Sequence, residues 1–229
     1  MKGLRTLDFL SKKHEYTFLN NQNQKVRVHV RKVNNSSINM WSEGKSKKYR
    51  DCINLIESAI SKTVYNDFPP IIIVSEKKLG HGAISSYDHI DDIIYLNSYF
   101  HTSSRIDEIL STQTFAATSF KDIFCHELAH KRHWDAVKGF YKINKNVYNN
   151  IIEAKKALDS DLEAYLSKQE FTYLQTNVSY YAATNYRLAK KNNSINSVNE
   201  VIAEVLVLDK KADPNLIRII ERELSYEKY

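Results

Sequence analysis

The segment His126-Glu127-Leu128-Ala129-His130 carries chemistry that its spacing alone can name. Residues four apart on an α-helix share a face one turn apart, so two imidazoles can grip a single Zn²⁺ from the same side. Glu127 stands one position round that helix, where its carboxylate can take a proton from a water on the metal's open position. With 8 His and 14 Glu among 229 residues, the pattern is expected by chance about 0.02 times per chain. Only Cys52 and Cys125 are present, which excludes a disulfide framework and a four-cysteine zinc site. Any metal must be held by His and carboxylate. Cys125, next to the first His, reads as a buried thiol. His14, His29, His81, His89 and His101 show no ligand spacing.

A catalytic zinc site takes a third protein ligand and leaves its fourth position to water. His133, three residues after His130, is one candidate, either for the metal or as a group beside it. A metzincin would place Gly and His at fixed distances beyond the second His, and Trp134, Ala136 and Gly139 occupy that stretch instead. The stronger candidate is the segment Asn199-Glu200-Val201-Ile202-Ala203-Glu204. Glu204 interrupts an otherwise apolar run from Val201 to Leu208, and a carboxylate there is costly unless a cation or hydrogen-bond donor meets it. Glu200 lies one turn earlier on the same side. Such a pair suits a ligand and the partner that orients a ligand imidazole, or else two surface acids at the edge of a packed helix.

The elements that must carry these groups follow from periodicity. Ser119 with Asp122 three residues on is a capping signal, and Ile123, Phe124 and Leu128 continue a helix to about Val137. Further helices are expected over 150–166, 197–209 and 214–226, the last with Pro214 in its first turn, and a Tyr-rich stretch spans 171–186. Earlier in the chain, Tyr16 to Val33 predicts a β-hairpin, and Lys47 to Val64 an amphipathic helix burying Tyr49, Cys52, Ile53, Ile56 and Ile60. Ile71 to Val74 and Ile93 to Leu96 predict short buried strands. Strands early and helices late make the class α+β.

Composition bounds the rest. Hydrophobic residues are 42% and charged residues 26%, while 5 Gly and 3 Pro are too few for a fibrous or linker-rich chain. No apolar run approaches the ~18 residues of a membrane span, and Met1 to Lys13 carries charges where a signal peptide would be apolar. A cytoplasmic setting is therefore expected, with virion association or export by a non-classical route as the alternative. Residues 1–50 hold 12 Lys/Arg against Asp8, Glu15 and Glu43, a local charge of +9 within a net +6. That block is either a solvated basic arm or a contact for an anionic partner, nucleic acid or acidic protein.

With its HExxH and a later helix bearing ExxxE, the sequence resembles the gluzincin peptidases. The resemblance implies that His126, His130 and Glu200 coordinate one Zn²⁺, that Glu127 is general base and acid, and that Glu204 orients a ligand His. More narrowly, Ala83 to Tyr87, Asp92 to Asn97, HELAH, Ser179 to Asn185 and Glu200 to Glu204 resemble the peptidase domain of anthrax lethal factor and similar domains in phage proteins. That likeness covers about residues 70–210 and implies that Tyr181 assists the transition state, with Tyr180 and His133 as competitors. A partial likeness to SprT-type peptidases lacks the third His, since Ala136 and Val137 stand in its place. The expectation is thus a zincin-like α+β fold with a small early sheet. An extended peptide substrate would add along the strand Asp92 to Asn97 as the edge of the cleft. Residues 1–45 would form a basic hairpin and amino-terminal segment, and 46–229 a metallopeptidase domain continuous with it. The competing reading is a phage or mobile-element assembly protein that works through its basic segment, with a structural or vestigial zinc site. A third is a toxin or processing enzyme with a single protein substrate.

Overall fold

The computed structural model describes residues 15–229 apart from 21, 23, 35, 37, 62–67 and 81. The first part of the expected amino-terminal segment, residues 1–14, lies outside the described residues, as do His81 and the end of the helix expected to reach Val64. The chain is α+β and divides into two compact units between Ile109 and Leu110.

The first unit carries the strands. β1 (Glu15–Leu19) and β2 (Lys25–His29) form the expected antiparallel hairpin, and Asn20 Oδ1 accepts the Gln22 and Gln24 N–H groups at 3.0 and 2.9 Å to close its turn. Alternation sorts its faces: Tyr16, Phe18 and Val28 are buried, while Thr17, Lys25, Arg27 and His29 are exposed. A second sheet contains β3 (Arg31–Lys32), β4 (Met40–Ser42), β5 (Ile71–Val74), β6 (Ser85–Asp88) and β7 (Ile93–Asn97). Its order is β3-β4-β5-β7-β6, with β4, β5 and β7 mutually parallel and the two outer strands antiparallel.

This order corrects one expectation. The strand Asp92 to Asn97 is not an edge. β7 is hydrogen-bonded to β5 on one side and β6 on the other, so it has no free row of backbone groups for an added strand. The uninterrupted apolar run that made it recognisable is itself the mark of an interior strand buried on both faces, and every residue of β5 and β7 is buried. Phe18 stacks on Tyr95 with ring centroids 4.1 Å apart, so hairpin and sheet share a core with Val30, Trp41, Ile72 and Val74. α1 (Lys47–Ile60) buries Tyr49, Cys52, Ile56, Ala59 and Ile60, four of them at the expected spacing. α2 (Glu76–Leu79) and α3 (Ser103–Leu110) complete this half.

The second unit is helical. α4 (Phe120–Ile143) starts where the capping signal placed it: Ser119 Oγ accepts the Asp122 N–H at 3.2 Å, and the Asp122 carboxylate accepts the Thr118 N–H at 3.0 Å. It runs past Val137 because a terminal 3₁₀ turn, Ser225–Lys228, packs against its last turns at Gly139. A Cβ on Gly139 would lie 2.0 Å from the Tyr226 carbonyl oxygen. The helix expected over 150–166 is two, α5 (Ile151–Leu158) and α6 (Ser160–Leu166). They meet at Asp159, a buried residue whose carboxylate is taken by His133 and Lys155. The Tyr-rich stretch resolves into α7 (Phe171–Asn177) and α8 (Tyr180–Lys191), followed by α9 (Asn199–Leu208) and α10 (Pro214–Leu224). Asp213 caps α10 by accepting the Asn215 N–H at 2.7 Å, with Pro214 in its first turn. No helix among the described residues is long and apolar enough to cross a membrane.

Candidate metal centre

Within the helical unit, α4 supplies the two histidines and α9 supplies both acids. His126 Nε2 and His130 Nε2 face each other at 3.1 Å, and Glu200 Oε2 lies 3.2 Å from the first and 3.6 Å from the second. Two imidazole nitrogens and a carboxylate oxygen thus form a compact triangle, and these three residues make up one of the donor groups able to hold an ion. Metal–donor bonds of 2.0–2.2 Å in tetrahedral array separate neighbouring donors by about 3.3–3.6 Å. The observed edges, 3.1 to 3.6 Å, match one face of such a tetrahedron closely. Glu200 Oε2 is buried and makes no hydrogen bond despite its closeness to both rings, the situation of an oxygen aimed at a cation.

Glu204 is 1% exposed, and both its oxygens are used. Oε1 accepts the His126 Nδ1–H at 2.8 Å, and Oε2 accepts the Ala116 N–H at 2.6 Å. The acid that interrupts the apolar run is therefore satisfied by a ring donor and a main-chain donor, and it fixes the tautomer that leaves His126 Nε2 facing the triangle. Burial opposes protonation of His126, yet the adjacent Glu200 carboxylate, the bond to Glu204 and the nearby Glu127 raise its pKa well above the ordinary imidazole value in the metal-free chain. Burial likewise opposes the charge on Glu200, but the two imidazoles hold its carboxyl far below the usual carboxylate range. The triangle is electrostatically arranged to take a positive charge.

Glu127 follows His126 on α4 and is 4% exposed. Tyr181 opens α8, whose Ser179 cap accepts the Ala182 N–H at 3.0 Å, while the Tyr181 N–H donates to the Thr114 carbonyl at 2.9 Å. The Tyr181 ring centroid is 6.2 Å from that of His126, and Phe115 packs tilted against it at 5.0 Å. Burial, then the carboxylates of Glu200, Glu127 and Glu204, push the phenol pKa far upward, so Tyr181 keeps its proton and has an O–H to donate. Its competitors sit elsewhere. Tyr180 is 50% exposed, with its ring edge-on to Phe171. His133 is wholly buried and its Nε2 bonds Asp159 Oδ1 at 2.8 Å, so it is not part of the triangle.

No family model matches the chain, and neither a curated protein nor a solved structure matches it significantly. Sequence reasoning missed two features. The Ala116 N–H lies in a loop with no motif. The buried Glu223 did carry a signal: it falls at the apolar positions of α10 beside Leu216, Ile220 and Leu224.

Proposed function

We propose that this chain is a zinc-dependent metallopeptidase of gluzincin type, with His126, His130 and Glu200 as the ligands and Glu127 as the proton carrier. The observation that carries the reading is the triangle of donors at 3.1, 3.2 and 3.6 Å, with Glu204 fixing the outer nitrogen of His126. When bound, zinc supplies Lewis acidity and a water acidified towards neutrality. Glu127 takes the proton from the attacking water and delivers it to the leaving amine. Tyr181, held protonated, donates its O–H to the scissile carbonyl oxygen as negative charge develops there. Glu204 keeps His126 in the tautomer that points its lone pair inward, and Ala116 keeps Glu204 in place.

Glu127→Gln tests the assignment because it preserves shape while removing the base. Zinc content should stay at the wild-type level and hydrolysis of a generic peptide library should fall by about 10²–10⁴-fold. Turnover equal to wild type would refute the role of Glu127. The competing reading, an assembly or binding protein, draws on the outward hairpin face bearing Lys25, Arg27 and His29, although Arg27 is paired with Glu15 at 2.5 Å. Zinc bound without chelator-sensitive proteolysis, together with salt-sensitive DNA binding, would favour it.

A further inference from the structure

A second set of donors is buried between α4, the α5–α6 junction and α10. His133 Nε2 bonds Asp159 Oδ1 at 2.8 Å, and Lys155 Nζ donates to Asp159 Oδ2 and, at 2.9 Å, to the Ile195 carbonyl. Glu223 is 3% exposed, yet neither of its carboxylate oxygens has a hydrogen bond, and His133 Nδ1 is equally unmet. One donor atom from each of His133, Asp159 and Glu223 lies within 4.8 Å of the other two. All three residues are buried.

With both carboxyls ionised, the charges do not balance. Lys155 neutralises one of the two carboxylates, and the second is left enclosed beside it. Burial, and then the Asp159 charge, push the Glu223 carboxyl up to about 8. A proton on Glu223 would cancel its charge but leave the other oxygen and an imidazole nitrogen without partners. A divalent cation meets these unpartnered atoms instead, because it takes a lone pair from each residue and lets Glu223 stay ionised.

We propose that His133, Asp159 and Glu223 form a second metal site for a divalent ion such as Zn²⁺, sharing no ligand with the His126–His130–Glu200 centre. One imidazole and two carboxylates are a nitrogen–oxygen donor set that zinc accepts. Lys155, bonded to the other oxygen of Asp159, fixes the orientation of that carboxylate. An enclosed site offers no position to substrate, so its role is structural: it ties α10 and the α5–α6 junction to the helix that carries HELAH. The inference does not depend on the chain being a peptidase.

The test is a count of ions on the full chain, stripped with a chelator, reloaded with Zn²⁺, desalted and measured by plasma mass spectrometry. Wild type should hold two equivalents. His126→Ala/His130→Ala should hold one, and its thermal midpoint should still rise when Zn²⁺ is added. Glu223→Gln and Asp159→Asn should each hold one, retained at the other centre. A wild type with one ion that vanishes in His126→Ala/His130→Ala overturns the second site and leaves the catalytic one standing. One ion lost only in Glu223→Gln gives the reverse. Two ions that both survive Glu223→Gln and Asp159→Asn also overturn it. Should those two variants fail to fold, the His126→Ala/His130→Ala count decides alone: one ion supports the site and none refutes it.

Discussion

Replacing Glu204 by Gln isolates what the buried acid does, because shape is kept and only acceptor capacity changes. Glu204 presents two accepting oxygens to two donors, His126 Nδ1–H at 2.8 Å and Ala116 N–H at 2.6 Å. Glutamine has one accepting oxygen, and its amide nitrogen must then confront the other donor at a site 1% exposed. One charge-assisted bond is lost and one buried donor is orphaned, a destabilisation of roughly 2–4 kcal/mol. If the amide oxygen turns to Ala116, the hold on His126 is lost and zinc affinity should fall about 10–100-fold, or roughly 1.4–2.8 kcal/mol. If it turns to His126, affinity is kept and the loss appears in folding stability. Competition against a chromophoric chelator measures the first quantity and urea unfolding of the metal-free chain the second. A Glu204→Gln variant unchanged in both would show that the two bonds do not exist in solution and would sink the account of how His126 is oriented.

Two other outcomes are expected. Gly139→Ala should lower the urea midpoint by the equivalent of about 1–3 kcal/mol, although alanine is the better helix former, because its Cβ would lie 2.0 Å from the Tyr226 carbonyl oxygen; an equal or higher midpoint would contradict the packing of the terminal turn on α4. Burial pushes the Cys52 thiol up to about 12, so at pH 8 it stays a thiol in the native chain and resists iodoacetamide. Partly exposed Cys125 should take the label first, and Cys52 only on unfolding, a sequence that mass spectrometry of the labelled protein reads directly.

Much of the site was legible before any coordinates. HELAH sits on a helix because its cap and apolar period demand one, and two histidines four apart on a helix meet whatever surrounds them. The acid at Glu204 announced that something must answer it, since a charge in an apolar stripe is not left bare. What answered it was not legible. The Ala116 N–H comes from a loop 88 residues away, and a main-chain donor has no residue type to betray it. The helix expected over 150–166 forms over 151–158 and 160–166, interrupted at Asp159. Asp is among the weaker helix formers, and the carboxylate of Asp159 is claimed by His133 of α4 as well as by Lys155 one turn before it. The strand at 93–97 was recognised correctly and placed wrongly at an edge: its unbroken apolar run marks burial on both faces, and only the pairing with β5 and β6 shows its neighbours.

By itself, then, the sequence determined the local matters: where helices and strands form, which turn presents two imidazoles, and that a later pair of acids shares one face. These depend on interactions within a few residues, whose geometry is the same in any protein. Only the tertiary structure decided which distant groups meet them. It brought Glu200 to within 3.2 and 3.6 Å of the two rings, set Glu204 behind His126, and turned His133 away to Asp159 and Glu223. Encounters across tens of residues are fixed by how whole helices pack, a sum over many small contacts that no short stretch of sequence records.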